Sequence, residues 1–160
     1  PLNVIQKLIE SAQSNPDTQV VTPVIPLRWA ELDTLRDQKK VTPVSGTTAV
    51  INKDNQALWF SKNILPAIRK EKELREKSEF SPVYQHLGLY GYRLETLKKF
   101  VALEQGYYEQ LEGLEQLRLI ENNIPISAVK VEVELGLAQA GIDSPEDVGR
   151  AERMLQKVTS

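Results

Sequence analysis

Helical and extended patterns take turns along this chain, and that alternation limits the folds open to it. PLNVIQKLIESAQSN sets Leu2, Ile5, Leu8, Ile9 and Ala12 at helical spacing, as in an amphipathic helix. Asn15-Pro16-Asp17 is a turn signal. Gln19 to Ile25 (QVVTPVI) is β-branched and reads as a strand, with Pro23 arguing for a strand end or a sheet edge. Pro26 to Arg36 returns to helical spacing through Trp29, Ala30, Leu32 and Leu35. TTAVI and ALWFS then flank a polar five-residue loop, the pattern of a β-hairpin. Arg69 to Glu79 (RKEKELREKSE) is a mixed-charge run, expected to be a solvated helix or a mobile excursion without chemistry of its own. Leu94 to Leu103 reads as a helix with Leu97, Phe100 and Val101 in the core. Glu109 to Asn122 reads as another, with Leu111, Leu114, Leu117 and Ile120 at i, i+3 spacing. Ile124 to Val133 reads as a strand that turns Ser127, Lys130 and Glu132 to water. Ser144-Pro145-Glu146-Asp147 opens a last helix: a serine cap, a proline at the first helical position, and two acids at the positive end. Strands interleaved with helices indicate an α/β fold with some antiparallel hairpin content.

A chain of 160 residues makes one domain with a real core. No apolar run approaches the ~20 residues that cross a bilayer, so no membrane partner is expected. The net charge of −2, with bases interleaved among acids, gives no reason to expect nucleic acid. The absence of cysteine excludes disulfides and thiolate metal sites and fits a reducing, cytoplasmic compartment. The chain opens inside a helix without a methionine, so sequence is expected to be missing upstream.

Three stretches carry candidate chemistry. Tyr84 to Arg93 (YQHLGLYGYR) holds the single histidine. As a strand it would set Tyr84, His86, Gly88, Tyr90 and Tyr92 on one face. That face offers hydroxyls, an imidazole and a gap at Gly88, features that suit a polyhydroxylated ligand. The same pattern fits a satisfied histidine at a sheet edge or a subunit contact. In Leu114-Glu115-Gln116-Leu117-Arg118, the leucines face the core and Glu115 and Gln116 flank them, either projecting into a cleft or lying on a helix surface. In Gly141-Ile142-Asp143-Ser144-Pro145, Asp143 sits on a turn where a carboxylate can meet Mg2+ or simply form the turn. One carboxylate does not hold magnesium by itself.

Together, His-Leu-Gly-Leu-Tyr-Gly-Tyr-Arg, Gly-Leu-Glu-Gln-Leu-Arg and Gly-Ile-Asp-Ser-Pro-Glu-Asp resemble, in order and spacing, the 3-deoxy-manno-octulosonate cytidylyltransferases (CMP-KDO synthetases). Ala57-Leu58-Trp59-Phe60-Ser61-Lys62 is similar to the family's ALYFSR stretch. The resemblance spans nearly the whole chain. It implies a nucleotide-diphospho-sugar transferase-like (Rossmann-like) mixed sheet with helices and an antiparallel dimerisation hairpin. Residues 1–160 would be the C-terminal, sugar-binding and dimerisation part of one cytidylyltransferase domain, and so an incomplete domain. It also implies a reaction: the anomeric hydroxyl of an acidic eight-carbon sugar attacks the α-phosphate of CTP, giving the CMP-sugar used in lipopolysaccharide biosynthesis, and pyrophosphate. His86 and Tyr90 would contact the sugar, Glu115 and Gln116 would hold its hydroxyls, and Asp143 would bind Mg2+. The implied assembly is a homodimer.

The chain departs from the family in two places. Lys62 stands where the family has the arginine expected to meet the sugar carboxylate, and lysine keeps the charge but loses the bidentate fork. Pro43-Val44-Ser45-Gly46-Thr47-Thr48 replaces the family's Pro-Asn-x-Val-Lys. These changes suit a related sugar, such as an 8-amino-octulosonate or a nonulosonate. The family's basic glycine loop for CTP and its Gly-Asp-Glu-Pro segment are not found in the sequence, so this chain alone is expected not to turn over CTP. A noncatalytic interaction module built on the tyrosine strand and the leucine-rich helix is the reading from another class.

Overall fold

The computed structural model describes residues 2–133. The first element, α1 (Leu2–Ser14), is the expected helix, but its inward face is turned from the expected one. Val4 and Leu8 are buried, whereas Leu2, Ile5 and Ile9 are exposed.

Strand β1 (Val20–Arg28) is the spine of the sheet, not an edge. It is followed by α2 (Trp29–Val41). The hairpin of β2 (Thr48–Ile51) and β3 (Ala57–Ser61) is antiparallel, as expected. Next come α3 (Glu71–Lys77), β4 (Phe80–His86), the two-residue β5 (Gly91–Tyr92), α4 (Leu94–Ala102), α5 (Tyr107–Glu112), α6 (Leu117–Glu121) and β6 (Ile126–Lys130). The sheet is mixed: β1 pairs antiparallel with β4 and β5 and parallel with β6, and β2 joins β4 to β3.

How β1 tolerates two interior prolines follows from its pairing. Val20 and Val21 pair with β6 on one edge, so β5 must lie on the other, which is the edge that β4 occupies further along. Residues 80–92 are therefore one strand interrupted at 87–90. The Pro23 carbonyl accepts the Leu87 amide at 3.2 Å, so the backbone of Pro23 faces that interruption, where the ladder asks for no donor. The Val24 carbonyl accepts from Val131 on the opposite edge. Backbone groups alternate, so Pro26 faces beyond the end of β6. The expectation that Pro23 marks an edge fails because it counted prolines and not the gaps opposite them.

Alternation along β1 divides the core in two. Val20 and Val24 pack on one face with Phe60, Phe100, Leu114, Leu117, Leu119 and Ile126. Ile25 and Leu27 pack on the other with Val4, Trp29, Leu32, Leu35 and Val83. Each fully buried large side chain contributes about 1.5–3 kcal/mol. On the second face, Arg75 of α3 lies over the Trp29 ring at 4.6 Å and Trp29 Nε1 donates to the Ser78 carbonyl. The charged run is thus a solvated helix with no buried residue, tied to α2 by Arg36–Glu71 and Arg75–Asp33 pairs.

Several details differ from the sequence reading, among them the strand expected over 124–133, which is confined to Ile126–Lys130. Pro26 to Arg28 still belong to β1, and the helix starts at Trp29. The expected helix over 109–122 is two short helices, because Gly113 takes φ +63° and ends α5. In α4 Phe100 is buried, but Leu97 and Val101 are exposed, with Thr96 inside instead. Asp143 and the helix expected from Ser144 lie outside the described residues.

Candidate functional site

The interruption at 87–90 creates the site. With Leu87 to Tyr90 looped out, the side chains of His86, Tyr90 and Tyr92 still come together on the first core face. The His86 and Tyr90 ring centroids are 5.4 Å apart, and those of Tyr90 and Tyr92 are 6.0 Å apart. Phe60 meets the His86 ring edge-on at 5.0 Å. The common face proposed from alternation is therefore real, although the continuous strand behind it is not.

The packing needs a different glycine from the one the sequence suggested. A Cβ on Gly88 would meet nothing within 4 Å, so open space lies beside it. A Cβ on Gly91 would stand 2.7 Å from Cγ2 of Val21, so it is Gly91 that close packing requires.

His86 is held in one protonation state. Thr22 Oγ1 donates to the Leu89 carbonyl at 2.8 Å and lies 3.0 Å from His86 Nε2. Having spent its single proton on Leu89, the hydroxyl accepts from Nε2–H, which leaves Nδ1 as an acceptor. Burial, then the positive charge of Lys62, push the imidazole down to about 4, so it is neutral near pH 7. Burial, with the phenol of Tyr92 and the carboxylate of Glu115 nearby, raises the Tyr90 hydroxyl above its usual range. Burial and Glu115 raise Tyr92 to about 12, against the opposing charge of Arg118.

These couplings connect the residues singled out from sequence. Lys62 acts on His86, the His86 ring meets that of Tyr90, and Glu115 acts on Tyr90. Glu115 is exposed and Gln116 is buried beside it, at the start of α6. Three buried polar atoms have no hydrogen-bond partner among the described residues, and two of them, the Tyr90 hydroxyl and Gln116 Nε2, lie on residues singled out from sequence; the third is Gln85 Oε1. Such atoms are costly unless a ligand or water meets them. A groove of about 330 Å3 also opens beside Tyr90, lined by Ile5, Leu8, Ile9 and Val21. Tyr90, Tyr92, Gln13, Thr18, Gln19 and Arg93 line it too, but its surface is mostly apolar, which does not suit a polyhydroxylated ligand, and neither His86, Lys62 nor Glu115 lines it.

Sequence reasoning missed three residues. Thr22 was one threonine in a β-branched run. Glu112 accepts from Ser61 Oγ at 2.7 Å and from the Lys62 amide at 2.8 Å. Lys39 Nζ donates to the carbonyls of Ser45, Gly46 and Lys62. All three act on segments distant in the chain, and no local pattern marks them.

The chain matches the cytidylyltransferase family over residues 1–130. It belongs to that family. Among curated relatives it is 41% identical over 152 residues to the 3-deoxy-manno-octulosonate cytidylyltransferase of Maricaulis maris, covering 95% of this chain and 56% of the relative. It is 34% identical over 155 residues to the enzyme of the same name from Bacteroides thetaiotaomicron, covering 97% of this chain and 56% of that protein. The chain spans about half the length of the curated relatives it matches. Its fold is that of a solved CMP:2-keto-3-deoxy-manno-octonic acid synthetase complexed with CTP, at TM-score 0.73 and 24% identity, over 97% of this chain and 56% of that one. The family model covers three of the four motifs behind the resemblance and the match over 152 residues reaches the fourth, while the fold supports the nucleotide-sugar transferase architecture. No helix among the described residues is long and apolar enough to cross a membrane.

Proposed function

We propose that this chain is the acidic-sugar side of a cytidylyltransferase that joins 3-deoxy-manno-octulosonate to CMP, with CTP as donor and pyrophosphate as leaving group, in the cytoplasm and toward lipopolysaccharide. The observation that carries the reading is the pair of unpartnered buried atoms, Tyr90 OH and Gln116 Nε2, on residues that the family resemblance assigns to the sugar. Each residue has a role its chemistry allows. Lys62 meets the sugar carboxylate as a point charge. Neutral His86 accepts a sugar hydroxyl at Nδ1. Tyr90 and Gln116 donate, and Glu115 accepts. Held this way, the anomeric hydroxyl is aligned for attack on the α-phosphorus of CTP. Positioning of this kind supplies much of the rate in phosphoryl-type transfers.

Asp143 is proposed as a magnesium ligand on the resemblance alone. The described residues contain no group of three or more His, Asp or Glu side chains placed for a metal, so no step is derived through the ion. Bound there, magnesium would neutralise phosphate charge. A second copy of the chain is a further proposed partner: Leu94, Leu97 and Val101 form an exposed apolar stripe along α4.

Titration calorimetry with free 3-deoxy-manno-octulosonate tests the reading. Binding is expected, and it should be weakened about tenfold or more by His86→Ala, the loss of about 1.4 kcal/mol expected for a single hydrogen bond. Binding of a nonulosonate in preference would move the substrate to the related sugar. Binding of no sugar, with self-association intact, would favour the interaction module.

A further inference from the structure

We propose that Glu112 is a positioning residue for Lys62, tying the sugar-carboxylate cation to the loop that carries Glu115 and Gln116. It rests on the octulosonate site proposed above. Lys62 is the first residue past β3, and its main chain is held at both ends by side chains from other elements. The Glu112 carboxylate, from the last turn of α5, accepts the Lys62 amide at 2.8 Å and the Ser61 hydroxyl at 2.7 Å. Ser61 Oγ accepts the Asn63 amide at 2.9 Å, so one carboxylate organises three consecutive residues. From the other side, Lys39 of α2 donates to the Lys62 carbonyl at 2.5 Å. A lysine side chain is flexible about its own bonds, so what the protein can fix is the point from which it starts. Both anchors do this.

Charge makes Glu112 more than a spacer. Lys39 and Lys62 lie close enough to repel, and Lys39 is held below the usual lysine range by burial and by Lys62, while Glu112 opposes the shift. The carboxylate therefore lets two cations share one corner of the fold. Gly113, at φ +63°, ends the helix directly after Glu112 and turns the chain toward Leu114, Glu115 and Gln116. The acid that grips Lys62 thus stands three residues from the acid proposed for the sugar hydroxyls, and a shift of one would move the other.

Glu112→Gln is the informative variant. Its amide can accept from the Lys62 amide and donate to Ser61 Oγ, so the shape survives, while the charge and the acceptor of the Ser61 hydroxyl proton are lost. Octulosonate binding, measured by calorimetry, should weaken about tenfold or more, because Lys39 and Lys62 then repel without the carboxylate between them and Lys62 shifts from its place. An analogue whose carboxylate is reduced to an alcohol should bind wild type and variant alike. Equal binding of the acid by both proteins would overturn the proposal, as would equal weakening of acid and alcohol, which marks a general structural loss. Hydrogen exchange of the Lys62 amide supplies a sugar-independent arm: it should be slow in wild type and faster in Glu112→Ala. Fast exchange in wild type refutes the anchor whatever the sugar does. Slow exchange in a protein that binds no octulosonate refutes the sugar reading and, with it, the role given to Lys62.

Discussion

Thr22 and His86, sixty-four residues apart in sequence, share one hydrogen bond of 3.0 Å that decides which imidazole nitrogen carries the proton. The direction is set by a third group, the Leu89 carbonyl, which takes the threonine's only proton. Leu89 belongs to the loop that interrupts the strand, so the interruption both opens the face and fixes the histidine on it. Thr22→Val removes the acceptor while keeping the shape. The buried Nε2–H is then unpaired, at a cost of about 1–3 kcal/mol. Denaturant unfolding should show that loss, and nitrogen-15 chemical shifts of His86 should show a changed tautomer population. An unchanged tautomer would mean that Thr22 does not set it.

This relationship shows where sequence reading stops. The helix of α1, the β2–β3 hairpin and the solvated α3 were legible because each is a local period or charge pattern. The shared face of His86, Tyr90 and Tyr92 was legible because alternation survives a looped-out segment. The central place of β1 was not legible, because what admits Pro23 is a gap in a strand sixty residues later. Glu112 carries no local sign of its role, since nothing near it in the chain marks Ser61 and Lys62 as its partners. Gly113 was absorbed into a leucine period that its left-handed backbone breaks.

Acid should destabilise the protein through His86. The imidazole sits at about 4 when folded and near 6.5 when unfolded. Between these values the unfolded chain binds a proton that the folded chain refuses, so stability is complete above about 6.5 and is lost as the pH falls toward 4. The contribution is on the order of 3 kcal/mol. The difference in unfolding free energy between wild type and His86→Asn should shrink across this window, as measured by urea unfolding at several pH values. A constant difference would show that His86 titrates normally. Above about pH 5 sugar binding should not change through His86, which is still neutral there in the folded protein.

Leu117 should carry more stability than its neighbours in the leucine-rich stretch. It is fully buried against Val20, Phe100 and Ile126, whereas Leu111 is 65% exposed. Leu117→Ala should cost about 2–5 kcal/mol, and Leu111→Ala within about 0.5 kcal/mol. Chemical denaturation of both variants measures the contrast. Comparable losses would restore the single continuous helix that the sequence pattern suggested.

Two glycines in one stretch should respond oppositely to the same methyl group. At Gly88 the added carbon meets open space and the backbone needs no left-handed angle, so Gly88→Ala should stay within about 0.5 kcal/mol. At Gly91 the carbon would stand 2.7 Å from the Val21 side chain, inside the contact distance of two methyl groups. Val21 is buried on β1 and pairs with Gly91, so neither strand can yield without breaking the ladder. Gly91→Ala should therefore cost about 1–3 kcal/mol. It should also disturb Tyr90 and Tyr92 on either side, weakening sugar binding, while Gly88→Ala tests whether the open space itself receives the ligand. A Gly88→Ala protein of normal stability that loses octulosonate binding would place the sugar against that space. One that binds normally would place the sugar elsewhere on the His86 face.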